Sequence, residues 1–152
     1  ISTTKAGGDG GSSPPKDARE KALLCAHWAL EKKAYGVAIL NVGALTPIAE
    51  YFLICSGRSV RQTQAIAQHI RTRLKQELKE VPLGIEGESE GCWVLLDCDD
   101  VIVHVFDEPT REVYRLEKLW SDAPRVTDPE IAAEEEKAAA PWPEEEEEDW
   151  ED

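Results

Sequence analysis

The sequence contains no methionine and opens on Ile1, so a natural start upstream of that residue is expected. No apolar run approaches the ~20 residues needed to cross a bilayer, and no positively charged leader with an apolar core opens the chain. Secretion and membrane spanning are therefore not expected. Cysteine is sparse: Cys25, Cys55, Cys92 and Cys98 include no C-x-x-C pair, and no H-x₃₋₅-H stands by to complete a zinc site. Three of them lie in apolar runs, where a reduced cysteine behaves as a small hydrophobe, as intracellular proteins use it. The common catalytic signatures are missing too, with no G-x-S-x-G, H-E-x-x-H, Walker loop or G-x-G-x-x-G.

The net charge of −14 divides unevenly. Residues 128–152 carry 13 acidic residues and one lysine, whereas residues 1–127 carry 18 acidic and 16 basic. The acidity is thus a tail on a nearly neutral body, and self-repulsion predicts disorder over 127–152. Trp142 and Trp150 in that tail offer docking points for a basic partner. Residues 1–15 (ISTTKAGGDGGSSPP) have almost nothing to bury and are expected to form a flexible arm. Residues 16–126 remain as one domain, large enough to bury a core without metal or disulfide support.

That domain is organised around Gly91 to Trp120. Two β-branched runs, Trp93–Leu96 and Val101–Phe106, flank Asp97-Cys98-Asp99-Asp100, the order of a β-hairpin. With an even-numbered turn, Trp93, Leu95, Asp97, Ile102, His104 and Phe106 share one face, and Val94, Leu96, Val101, Val103 and Val105 share the other. A hairpin apolar on both faces needs a cover on each. After Pro109 the period becomes helical, placing Val113, Leu116 and Trp120 on one side of a short helix.

Upstream, Ala22, Leu23, Ala26, Ala29 and Leu30 predict a first helix ending near Ala34-Tyr35-Gly36. Val37–Val42 and Tyr51–Cys55 read as strands. Ser59 is an N-cap for a long helix with Ile66, Ile70, Leu74 and Leu78 spaced four apart. Leu83–Glu86 reads as a short edge strand.

Few residues suggest chemistry. Asp97 and Asp99 beside a strand could hold magnesium, with Ser56-Gly57 as a phosphate cradle, the parts of a nucleotide-transferring enzyme. The same aspartates are what a tight turn favours, because their side chains bond their own backbone. Arg61, Arg71, Arg73, Lys75 and Lys79 give the long helix a basic face that could meet RNA, yet without interleaved aromatics. Arg111, Tyr114, Arg115, Glu117 and Lys118 surround the last helix's apolar stripe. Aromatics set beside charges favour a binding face over a catalytic cleft.

Four blocks make the sequence recognisable. They are Cys55-Ser56-Gly57-Arg58-Ser59 with Ala65-Ile66-Ala67; Leu83-Gly84-Ile85-Glu86-Gly87-Glu88; Trp93-x₃-Asp97-x₂-Asp100 running into Val101–Phe106; and Arg111-x₂-Tyr114-x-Leu116-Glu117-Lys118-Leu119-Trp120. Over residues 16–124 they resemble the ribosomal silencing factor family, also called Iojap. The resemblance implies a single α/β domain with a mixed sheet of about five strands flanked by helices, related to nucleotidyltransferases but without their catalytic carboxylates. It implies a translational repressor that binds the large-subunit ribosomal protein numbered fourteen and sterically blocks subunit joining when nutrients are short. Neither catalysis nor a cofactor is implied.

Carried over to this chain, the contact face comprises Trp93, Asp97, His104, Tyr114, Glu117 and Trp120. Two departures accompany the likeness: Asp99 stands at a turn position where relatives usually have glycine, and the acidic tail is not a general family feature. The expected setting is the cytoplasm, or alternatively an organelle's stroma or matrix. Self-association of the free protein is expected from sheet faces this apolar.

Overall fold

The computed structural model describes residues 17–138; the expected arm at 1–15, Trp142 and Trp150 lie outside them. Helix α1 (Ala18–Glu31) begins where the Asp17 carboxylate accepts from the Glu20 amide at 2.8 Å, an N-cap. It stops before the expected Ala34, because the Lys32 and Lys33 amides close back onto Ala29 and Leu30 and Lys33 turns left-handed at φ +66°. The strands are β1 (Tyr35–Asn41), β2 (Tyr51–Gly57), β3 (Gly84–Glu86), β4 (Trp93–Asp97) and β5 (Val101–Asp107). They form one sheet in the order β1-β2-β5-β4-β3, with β2 and β5 parallel and every other pair antiparallel. The expected mixed sheet of five strands is therefore present.

Helix α2 (Val60–Arg73) joins β2 to the edge strand and continues through a π-helical turn, Leu74–Leu78. Ser59 caps it, its hydroxyl accepting from the Gln62 amide at 3.1 Å. The hairpin register pairs Trp93 with Phe106, Leu95 with His104 and Asp97 with Ile102, the face that alternation predicts. Val94, Leu96, Val101, Val103 and Val105 pack beneath α1 and α2 with Ile66, Ile70 and Leu74. On the other face Phe52, Ile54, Ile102 and Phe106 pack against Leu116 and Ala123, while Trp93, Leu95 and Trp120 are only partly covered. One face of the sheet is roofed by helices; the second is roofed in part.

The last helical stretch differs from the single helix expected. It divides into α3 (Glu108–Tyr114) and α4 (Leu116–Leu119), separated by Arg115 at φ +46°. The break has a visible partner: Arg111 grips Glu117, its Nε donating to Oε1 at 3.2 Å and its Nη2 to Oε2 at 2.5 Å. In a straight helix residues six apart lie about 240° round the axis and cannot pair. Val113 is consequently 75% exposed and leaves the apolar stripe, whereas Leu116 is buried.

Part of the expected disordered tail is also ordered. Pro129–Ala138 forms helix α5. Its Ile131 is buried in the first core, its Glu134 meets His27 of α1 at 3.1 Å, and its Glu135 accepts from the Val37 amide at 2.6 Å. Glu135, which looks solvated in sequence, thus satisfies an amide on the outer edge of β1.

The hairpin turn is pinned from beneath. Lys21 of α1 is 3% exposed, and its ammonium lies 2.7 Å from Asp100 and 2.8 Å from Glu80 while donating to the Cys98 carbonyl at 3.0 Å. Burial pulls the Lys21 pKa down, but the two carboxylates outweigh it and leave it above the usual 10.5. This contribution to stability is fully present below about pH 10.5 and is lost only as pH rises beyond it. Inside the turn the Asp97 carboxylate accepts from the Asp99 amide at 3.0 Å, and Asp99 itself sits at φ +74°. Glycine adopts a positive φ of this kind without the strain a side chain brings.

Two outcomes follow for stability, both measurable as shifts in urea midpoint. Lys21→Met leaves the Cys98 carbonyl without its donor and two carboxylates without their cation, and should cost ~1–3 kcal/mol. Asp99→Gly should stabilise the protein by about 0.5–1 kcal/mol, because it removes a left-handed side-chain residue whose carboxylate is exposed.

Candidate functional site

The partly roofed face carries a continuous aromatic cluster. Trp93 of β4 is its hub, with ring centroids 4.7 Å from Phe106, 4.8 Å from Tyr114 and 6.0 Å from His104. Phe52 of β2 extends it, meeting His104 edge-on at 4.9 Å and Trp120 edge-on at 5.1 Å. Edge and tilted contacts at these distances add to simple area burial. Of the residues expected from sequence, Trp93, His104, Tyr114 and Trp120 therefore meet. Phe106, expected on this face by alternation, and Phe52 complete the cluster; Phe52 joins it only through the parallel β2–β5 pairing, which no local pattern reveals.

The members sit at different depths. Tyr114 is 56% exposed, and its neighbour Val113 and, on α4, Leu119 are each 75% exposed. Trp93 and Trp120 are half-buried. His104 lies beneath this surface at 5% exposure, and the Trp93 indole donates to its Nδ1 at 3.2 Å. Burial lowers the His104 pKa to about 4, so the ring is neutral at physiological pH and Nδ1 is free to accept. Its Nε2 is buried with no hydrogen-bond partner among the described residues. His104 thus orients the Trp93 ring from below.

The two expected carboxylates differ in kind. Asp97 closes the same face of β4, opposite Ile102, and is occupied in shaping the turn. Burial pushes the Glu117 carboxyl up, but the hydrogen bonds and charge of Arg111, aided by Arg125, more than reverse this and hold it below the usual glutamate range. Arg111 also donates to the Ser56 hydroxyl at 2.7 Å. The resulting Ser56–Arg111–Glu117 chain fixes α4 to the end of β2.

The residues of the nucleotide-transfer alternative are kept apart. Ser56 pairs across to Phe106 and Asp97 to Ile102, at opposite ends of β5. Four strand positions separate those rows, or ~13 Å. The glycine turn is also closed to an anion: the Arg58 amide donates to the Gln62 side chain at 2.5 Å, and a Cβ on Gly57 would stand 2.9 Å from the Thr63 hydroxyl. Among the described residues no three His, Cys, Asp or Glu side chains are grouped to hold a metal. The four cysteines are free thiols, and burial pushes Cys55 and Cys98 up to about 12, out of the nucleophilic range.

Comparison with known proteins places this geometry. The family model described as "Ribosomal silencing factor during starvation" matches residues 15–152. The ribosomal silencing factor RsfS of Halalkalibacterium halodurans is 45% identical over 96 residues, covering 63% of this chain and 81% of the relative. A mouse protein named mitochondrial assembly of ribosomal large subunit protein 1 is 30% identical over 94 residues, 60% of this chain and 41% of its own length. The crystal structure of a Chromobacterium violaceum protein superposes with a TM-score of 0.68 at 30% identity, covering 70% of this chain and 88% of that one. Match and fold agree, and the chain belongs to the ribosomal silencing factor family, which implies ribosome-associated regulation of translation.

Proposed function

We propose that this protein binds the large ribosomal subunit through the ribosomal protein numbered fourteen and, by occupying that surface, keeps the small subunit from joining. The contact face is the partly roofed side of the sheet, with Trp93, Tyr114 and Trp120 as anchors, Asp97 and Glu117 at its margin and His104 as its support. One observation carries the reading: Tyr114 stands exposed against Trp93 in an aromatic cluster that the fold leaves only partly covered, and Val113 and Leu119 are exposed on the same short chain segment. Exposed apolar and aromatic side chains gathered on one segment suit a protein interface, and Tyr and Trp are among the residue types that dominate binding energy there. Steric exclusion makes and breaks no bond, which suits a face built of aromatics. The mouse relative's name points to the same subunit.

The working compartment is a ribosome-containing aqueous one, the cytoplasm or an organelle's stroma or matrix. Among the described residues no helix is long and apolar enough to cross a membrane. In the free protein the same patch would pair with a second copy, so self-association and subunit binding would compete for one surface.

Co-sedimentation with purified large subunits tests the face. Tyr114→Ala and Leu119→Ala change exposed side chains and should leave the fold intact while weakening binding at least ~10-fold each, the loss of a hot-spot contact. Sucrose gradients should show subunit joining restored in proportion. Full binding by both variants would refute the proposed face.

The face also depends on His104 staying neutral, because a protonated ring could no longer accept from Trp93. The folded ring resists protonation down to about pH 4, whereas the unfolded chain takes up that proton near 6.5. The stability tied to His104 is therefore complete above about pH 6.5 and lost as pH falls toward 4. His104→Gln keeps an acceptor for the indole without titrating. Urea unfolding at pH 7.5 and 4.5 should show wild type losing roughly 2–3 kcal/mol more than this variant over that interval.

A further inference from the structure

A second surface lies on the opposite side of the sheet, where α2 overhangs the edge strand β3. Arg71, Thr72, Lys75, Gln76, Lys79, Val81, Pro82 and Ile85 enclose a groove of about 890 Å³. Its helix wall is basic: Arg71, Lys75 and Lys79 recur four residues apart. Its floor is apolar, and Val81 and the adjoining Leu83 are 65% and 72% exposed. The neighbouring acids are engaged elsewhere, Glu77 with Arg73 at 3.4 Å and Glu80 with Lys21 at 2.8 Å. Glu88 reaches Arg71 only at 3.8 Å. Lys79 donates to nothing nearer than the Gln76 carbonyl at 3.4 Å, and Lys75 has no carboxylate partner among the described residues. Cations over exposed apolar side chains describe the ligand they would take: an extended chain that is both acidic and aromatic.

The protein carries such a chain. Residues 141–152 read PWPEEEEEDWED, six consecutive acids between two tryptophans. We propose that this segment docks in the α2–β3 groove of its own chain, with Glu144–Asp149 along Arg71, Lys75 and Lys79 and a tryptophan against Val81, Pro82 and Ile85. Charge complementarity selects the partner, and the indole face suits a guanidinium or ammonium as well as the apolar floor.

The tether is long enough. The described chain ends at Ala138 on α5, which packs on α1, and α1 packs on α2. Two interhelical steps of 8–10 Å each put the groove ~16–20 Å away across the helices. The stretch from Ala138 to Glu144 can span up to ~20 Å when extended, enough to bring the start of the acid run to the groove. A tethered segment needs only weak intrinsic affinity, since its effective concentration is of millimolar order. Docked there, the tail would hold a patch of cations away from other polyanions while leaving the aromatic face free.

Backbone NMR on the full chain, compared with the full chain carrying Glu144→Gln through Glu148→Gln, tests this directly. Neutralising the tail should shift the amide resonances of Lys75, Lys79, Val81 and Ile85, and 1 M salt should do the same to wild type, where screening acts over ~3 Å. The shifts should be independent of protein concentration. Unmoved groove resonances would overturn the proposal, as would shifts confined to another surface. Shifts that grow with concentration would overturn it in favour of a second copy. A single-stranded RNA oligonucleotide that perturbs the groove equally in both proteins would overturn it in favour of an open RNA site, whereas at least a ~10-fold tighter RNA response in the neutral-tail variant supports a groove already filled.

Discussion

The constraint on which the structure rests is that β2 and β5 are apolar on both faces. Every residue of β2 is buried, as is every residue of β5 before Asp107. A parallel pair at the centre of a sheet cannot leave either side in water, so the fold must supply two roofs. The first, from α1, α2 and α5, is complete and closes over valines and isoleucines. The second comes from a short chain segment broken at Arg115, and it is too small for the area it must cover. The shortfall falls on Trp93, Leu95 and Trp120, and that shortfall is the candidate binding surface. The candidate surface lies where packing is left unfinished.

Much of this was legible in the sequence because strand alternation is strict. The hairpin's faces, its register and the cap at Ser59 all follow from local rules that tertiary structure did not override. Of the candidate contact residues that the family resemblance implies, Trp93, His104, Tyr114 and Trp120 come together in one aromatic cluster, a meeting that no local rule predicts. What escaped were contacts between residues distant in sequence. Lys21 reads as one more solvated lysine until Glu80 and Asp100 stand beside it. Phe52 joins the aromatic cluster only once the strand order is known. The turn at Arg115 has no local signal, since arginine is not a residue that favours positive φ; it is imposed by the grip of Arg111 on Glu117. Glu134 and Glu135 looked like part of a repelling charge block, yet one meets a histidine and the other a strand amide.

The same network explains how a binding face can sit on so small an element. Helix α4 spans only Leu116–Leu119, far too short to hold itself. It is held by Leu116 in the core and by the Ser56–Arg111–Glu117 chain, whose carboxylate is kept charged by its neighbours. Tyr114 and Leu119 thereby acquire fixed positions at little cost in lost freedom on association, the preorganisation that a compact interface needs.

The covering of β1 carries one more consequence. Arg125 bridges to Leu40, Val126 donates to the Ile39 carbonyl, and Glu135 takes the Val37 amide, so one margin of the sheet is blunted and, among the described residues, the three-residue β3 is the margin left open to another strand. Backbone pairing between molecules can then proceed at a single margin. Such pairing closes after two chains and has no route to a growing fibril.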